Sequence, residues 1–206
     1  MRDLPMIDVQ AIATLHKETV RQWHEDDIDN HYEGFLRVVC LQHEQNYRLW
    51  HQEDIARSPV VCDTDLAQVK RNIDQLNQRR NDLIEQLDDL LVGELAAAGV
   101  EPDADARLNT ETPGSVIDRL SILSLRIYHM QEQAGRTDAG QQHLARAEAK
   151  LDVLFEQRKD LGTSLGELLD DIFSGRKCLK VYRQFKMYND PTMNPYLYNS
   201  PQKPAA

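Results

Sequence analysis

Apolar residues recur in steps of three and four along two stretches of the chain, and that spacing predicts two long amphipathic helices. With Leu66 set as the first position of a heptad, the inward positions read Leu66, Val69, Ile73, Leu76, Arg80, Leu83, Leu87 and Leu90, apolar at seven of eight. A seam that regular is of coiled-coil grade. A shift of 78 residues gives Leu144, Ala147, Leu151, Leu154, Arg158, Leu161, Leu165 and Leu168, with an arginine as the exception at the same place. Ile73-Asp74-Gln75-Leu76 also matches Leu151-Asp152-Val153-Leu154, which marks an internal repeat. No proline interrupts the chain between Pro59 and Pro102 or between Pro113 and Pro191, so near-continuous helices are expected over 62–95 and 141–173.

Each long helix follows another helical segment, roughly 31–57 and 113–133, so the repeated unit is a helical hairpin. Ser58-Pro59 breaks the first hairpin, and Gly135 with Gly140 lies in the corresponding turn of the second. Thr112 suits an N-cap and Pro113 the first helical position, where a missing N–H costs nothing. Residues 99–111, with Gly99, Pro102 and several acids, read as the linker. The hairpins 31–98 and 112–173 predict an all-α fold, an antiparallel four-helix bundle with a pseudo-twofold between its halves. An extra N-terminal helix around 8–24 and a C-terminal extension, 174–206, complete a single helical domain.

Composition narrows the class. At 206 residues, 28% charged and 41% hydrophobic, with 9 Gly and 8 Pro, the chain is globular and neither collagen-like nor disordered. No apolar run suits a membrane span or signal core, so a cytoplasmic location is expected. Cys40, Cys62 and Cys178 form no CxxC motif and read as buried small hydrophobes in a reducing compartment. The net charge of −10 is unevenly spread: Arg176, Lys177, Lys180, Arg183 and Lys186 face no acid between them, Asp190 and Lys203 cancel, and residues 1–175 therefore carry −15. Such a body repels nucleic acid.

Arg80 and Arg158 are the first candidates for chemistry, because a guanidinium on a seam must be paired or it costs several kcal/mol. Folding the hairpins near residues 60 and 137 puts His43 and Glu44 level with Arg80, and Asp118 level with Arg158. The expected central layer is His43, Glu44, Arg80, Asp118 and Arg158. Two readings stand: a buried ion network that fixes helix register, or a pocket in which the arginines grip an anion and His43, Glu44 or Asp118 act as acid and base. An opening of about 300 Å³ or more at the layer would favour the second.

The helix carrying His43 adds a partly polar stripe, in which Tyr47, Trp50 and Asp54 follow at helical spacing, Asn46 and Glu53 flank, and His51 faces solvent. No metal site or cofactor is expected. None of the residues three before the seven histidines is acidic, as Glu-x-x-His di-iron bundles require. Glu85/Asp88 and Glu167/Asp170 have carboxylate-pair spacing but lie at outer heptad positions, where a solvated face is expected. HExxH, GxSxG, P-loop and GxGxxG motifs are absent. In the extension, Tyr182, Phe185 and Tyr188 are spaced to share a helical face, and the basic segment is expected to dock on the acidic body.

The runs Asn46 to Arg57, Lys70 to Asp74 and Asn77 to Asp82, with Pro113-Gly114, Ile117 to Leu123, Ile127 to Met130 and Tyr182 to Pro191, resemble the bacterial family catalogued as domain of unknown function 4254. On that resemblance Asn46, Trp50, Glu53, Asp54 and His129 are its polar motif positions. The resemblance implies no established reaction. It implies an accessory or scaffold role beside glycosyltransferases of envelope polysaccharide or lipopolysaccharide assembly, with a homo-oligomer and a protein partner expected. The alternative is an enzyme acting on a phosphorylated sugar or nucleotide-sugar.

Overall fold

The computed structural model describes residues 7–184, 187 and 190–199, and the class is all-α. The helices are α1 (Val9–Glu25), α2 (Gly34–Ala56), α3 (Asp63–Ala98), α4 (Pro113–Ala134), α5 (Gln141–Phe173) and a single turn, α6 (Pro195–Tyr198). Local chemistry sets their ends. Asp8 caps α1 by accepting from Gln10 N at 2.8 Å, and Thr112 caps α4 by accepting from Ser115 N at 3.3 Å. Gly99 ends α3 in the left-handed conformation, φ 67°.

Contacts along the helices fix their directions. His16 meets His43 while His24 meets His51, and His43 meets Ser121 while His51 meets His129, so α1, α2 and α4 run in the same sense. The extended segment after α1 carries the chain back to start α2, with Trp23 Nε1 donating to Asp29 O. Helix α3 runs the other way: Asn72 meets Gln52, Arg80 meets Asp118 and Asp88 meets Gly114. The main core gathers Ile12 and Leu15 of α1, Val39 and Cys40 of α2, Leu87 and Leu91 of α3, Ile117 and Leu125 of α4, and Leu165 and Leu169 of α5. A smaller cluster joins Leu49 to Val69 and Ile73.

The two seams are not buried alike. On α3 they are covered from Val69 to Leu87, while Leu66 and Leu90 at the ends are exposed. On α5 only Ala147, Leu165 and Leu168 of the eight seam positions are buried. The span 99–111 is more than a linker: Arg107–Leu108 (β1) pairs in parallel with Lys177–Cys178 (β2), and Asp103 N donates to Gly175 O at 2.9 Å. Gly175 sits at φ 79°, and a Cβ there would lie 2.9 Å from Glu101 O.

Corrections to the sequence expectations concern surface and charge. Cys40 is buried, and burial pushes its thiol up to about 12, but Cys62 is exposed. Asp88 is buried rather than solvated, because α4 starts on it: Gly114 N donates to Asp88 Oδ1 at 2.7 Å. A Cβ on Gly114 would lie 2.6 Å from Ile84 O, so the sequence needs glycine where the two helices touch. The extension reaches the acidic body through Arg183, which bonds Glu85 at 3.0 Å and Asp89 at 2.8 Å. Residues 181–184 are not helical and Tyr182 is 69% exposed rather than docked; Phe185 and Tyr188, the other members of the expected aromatic face, lie outside the described residues. No described helix is long and apolar enough to cross a membrane.

Candidate functional site

Three consecutive turns of α2 carry the polar interior of the molecule. The first two hold Gln42, His43 and Asn46, all essentially buried. Asp118 on α4 is their hub, with Oδ1 accepting from Gln42 Nε2 at 2.5 Å and Asn46 Nδ2 at 2.9 Å. Asn46 also donates to Ser121 Oγ at 2.9 Å, and Ser121 bonds His43 Nδ1 at 2.7 Å. Arg80 brings its Nε to 3.3 Å from Asp118 Oδ1, an ion pair whose guanidinium still reaches water. Burial raises the Asp118 carboxyl above its usual range, opposed by Arg80 and the two amide donors.

Behind this layer His43 touches His16, ring centroids 4.6 Å apart, and stacks on Trp23 at 5.2 Å. Burial holds His16 down to about 3, and holds His43 well below the normal imidazole range with His16 adding to the effect. Both rings are therefore neutral at pH 7.

The layer contains fewer of the expected residues than the heptad arithmetic placed there. Asp118 pairs with Arg80 of α3 and not with Arg158, which lies instead at the cavity between α1 and α5. Arg158 is half-buried at the surface, its guanidinium 5.4 Å over the Phe155 ring. Glu44 points away from the layer and bonds Arg48 one turn on at 2.7 Å. Of the motif residues, Asn46 belongs to the layer, Glu53 pairs with Arg57 at 2.7 Å and Asp54 is exposed. Cavities of about 660, 290, 550 and 560 Å³ indent the surface among the described residues, and Arg80, Asp118, Asn46 and His43 line none of these four.

The next turns of α2 lead to a second cluster that sequence reasoning missed. His51 does not simply face solvent: it is half-buried and meets His24 of α1, centroids 5.2 Å apart, and His129 of α4 at 6.0 Å. Aromatic rings hold the three imidazoles, Tyr128 stacking on His24 at 4.2 Å, Trp50 on His129 at 4.6 Å, and Tyr47 standing edge-on to His51 at 4.6 Å. Burial and the two neighbouring imidazoles lower the His51 pKa, against Asp54 and Glu132. One ring nitrogen of each histidine lies within 4.8 Å of the others, a spacing that could hold a metal ion. A test for Glu-x-x-His along the chain is blind to ligands drawn one each from three helices. A signal was nonetheless present: the 78-residue shift that relates the two seams carries His43 onto Ser121 and His51 onto His129, the residues that face each other here.

No curated protein and no solved structure matches the chain. The match found is to a family model spanning residues 36–181, which takes in α2 to α5 with the polar layer and two of the three clustered histidines. The chain belongs to that family, described as protein of unknown function (DUF4254).

Proposed function

We propose that the chain is a helical scaffold or accessory protein that acts by binding protein, a second copy of itself in the first place. The observation that carries this reading is the unfinished burial of α5. Its seam residues Leu144, Leu151, Leu154 and Leu161 are only half-buried, and Phe155 beside them is 38% exposed. A 33-residue helix that leaves an apolar stripe open over its first half is built to be covered. The polar layer supports the same reading, since Gln42, Asn46 and Ser121 bond to Asp118, His43 and one another and the layer lines none of the four cavities described above. In the family setting the covered face serves assembly with glycosyltransferases of envelope polysaccharide synthesis.

Sedimentation analysis of the full chain tests this, with a dimer or larger species expected at micromolar concentration and dissociation by Leu151→Glu with Leu154→Glu. A monomer that also captures no glycosyltransferase rejects the scaffold reading.

One observation favours a second reading, an enzyme or binder of a phosphorylated sugar. The cavity of about 660 Å³ is lined by Arg158, Lys159 and Lys17, three cations between α1 and α5. A thermal-shift screen with sugar phosphates and nucleotide-sugars, repeated on Arg158→Ala, decides it: stabilisation lost in the variant supports the site, and no stabilisation removes it.

A further inference from the structure

We infer that His24, His51 and His129 form a binding site for one divalent first-row transition ion, of which Zn²⁺ is the natural probe. The donor atoms are identified by what the other ring positions do. His24 Nδ1 lies 2.6 Å from Val20 O, and a carbonyl can only accept, so the proton sits on Nδ1 and the Nε2 lone pair is free. His129 Nδ1 lies 2.8 Å from Glu132 Oε2, the carboxylate–histidine arrangement that fixes the tautomer and raises the basicity of a metal ligand.

The Nε2 atoms of His24, His51 and His129 are all buried and without a hydrogen-bond partner among the described residues. Three buried ring nitrogens without a partner are a costly arrangement for a packed interior, since a buried polar atom left unbonded keeps its desolvation penalty. A shared cation satisfies all three together.

Geometry and charge agree with this. Ligand nitrogens 2.0–2.1 Å from a tetrahedral ion stand roughly 3.4 Å apart, and one ring nitrogen from each histidine here lies within 4.8 Å of the others, close enough for ring rotation to bring them onto one ion. Three imidazoles suit Zn²⁺, Cu²⁺ or Ni²⁺ rather than Mg²⁺ or Ca²⁺, which take oxygen. Three protein donors leave a position for water or another ligand. His51 and Tyr47 line a groove of about 550 Å³, which gives the ion a route in. Asp54 and Glu132 act on His51, and Glu132 and Glu25 outweigh Arg21 at the adjoining Tyr128, so the local charge favours a cation.

The experiment uses the full chain, stripped with chelator and titrated with Zn²⁺ by calorimetry and with Co²⁺ by visible absorption. One ion per chain is expected, with Co²⁺ bands of nitrogen-ligated, low-coordinate character. His51→Ala and His129→Ala should each weaken Zn²⁺ binding at least roughly 100-fold, and Glu132→Gln, which keeps all three ligands, by roughly 10–100-fold. His31→Ala and Cys62→Ser, at an exposed histidine and the exposed thiol, should bind as the parent does. Because a ligand variant can fail to fold, histidine ring ¹⁵N spectra of the unmodified chain provide a second reading, in which Zn²⁺ should move the Nε2 signals of three rings. Absence of stoichiometric binding, full affinity in His51→Ala, or ring signals that Zn²⁺ leaves in place would each overturn the site. None of these outcomes depends on oligomeric state, so this site and the scaffold reading stand or fall separately.

Discussion

Replacing Arg80 by Met removes the cation that pairs, among the described residues, with a carboxylate that cannot leave the interior. The Asp118 side chain is 8% exposed and the Arg80 side chain 27% exposed, so the two partners are stranded unequally. Losing the arginine leaves a buried anion, and breaking a fully buried pair in this way costs about 3–5 kcal/mol. Two features lower that figure: Arg80 keeps contact with water, and Gln42 and Asn46 continue to donate to Asp118. We expect about 2–3 kcal/mol at pH 7, which for a chain of this length is roughly a 5–10 °C fall in Tm.

The pH dependence separates this cause from lost packing. Burial raises the folded-state pKa of Asp118, and removing Arg80 raises it further. A carboxyl with a raised folded pKa destabilises while ionised and stops doing so as pH falls through that pKa. The deficit of Arg80→Met relative to the parent should therefore shrink between pH 7 and pH 5, measured by thermal unfolding of both proteins in the same buffers. Acid effects elsewhere are common to the two and cancel in the difference. An unchanged Tm at pH 7, or a deficit of the same size at pH 5, would refute the stranded-carboxylate argument.

Further outcomes follow from other parts of the fold. His16 is held at about 3 against an ordinary 6.5, so the unfolded chain binds the extra proton first and stability is lost as pH falls from 6.5 toward 3, by about 5 kcal/mol in all from this group. His16→Leu should flatten the acid-unfolding curve followed by circular dichroism, and an identical acid midpoint would count against it. Gly114→Ala drives a methyl against the Ile84 carbonyl and displaces the Asp88 cap, at about 2–4 kcal/mol in urea unfolding. Gly166→Ala, with no atom within 4 Å of the added methyl, should stabilise by about 0.5–1 kcal/mol, and equal effects at the two glycines would contradict the contact. Arg183→Glu should speed proteolytic cleavage of the extension, because Glu85 and Asp89 hold the segment at that residue, whereas an unchanged cleavage rate would show it held elsewhere.

The helices were legible because their signals are local. A heptad pattern, an N-cap followed by proline and a left-handed glycine each act within a few residues, and the observed α3 and α5 lie within three residues of the expected spans. Pairing between helices was less legible. The estimate that put Asp118 beside Arg158 assumed that each arginine looks across its own hairpin, whereas Arg80 reaches α4 from the other one. The same assumption put Glu44 inward, though Arg48 one turn away gives it a solvated partner. Arg158 carries the same residue type at the equivalent heptad position, yet Leu151 and Leu161 beside it are only half-buried where Ile73 and Leu83 beside Arg80 are buried, so a shared pattern did not mean shared burial. Extended pairs such as Arg107 with Lys177 are too short to show any alternation, and nothing in the sequence announced them.

The polar layer and the histidine cluster are linked through the register of α2 against α4. His43 faces Ser121 and, eight residues on in both helices, His51 faces His129. Eight residues are about 12 Å of helix, so bonds made at the layer set the alignment of groups two turns away. A slip of one residue would move the two imidazoles about 1.5 Å along the axis and turn them about 100° apart, which would carry His51 and His129 off a common centre. Apolar packing tolerates such slips better than hydrogen bonds do, because methyl groups find new neighbours while Asn46 cannot find a second Asp118 and Ser121. Helix α1 is aligned with α2 in the same way, by Tyr47 Oη donating to Trp23 O at 2.7 Å directly beside His24. On this account the buried amides, serine and acid act on helix register. Their effect is to bring one histidine from each of three helices to the same point.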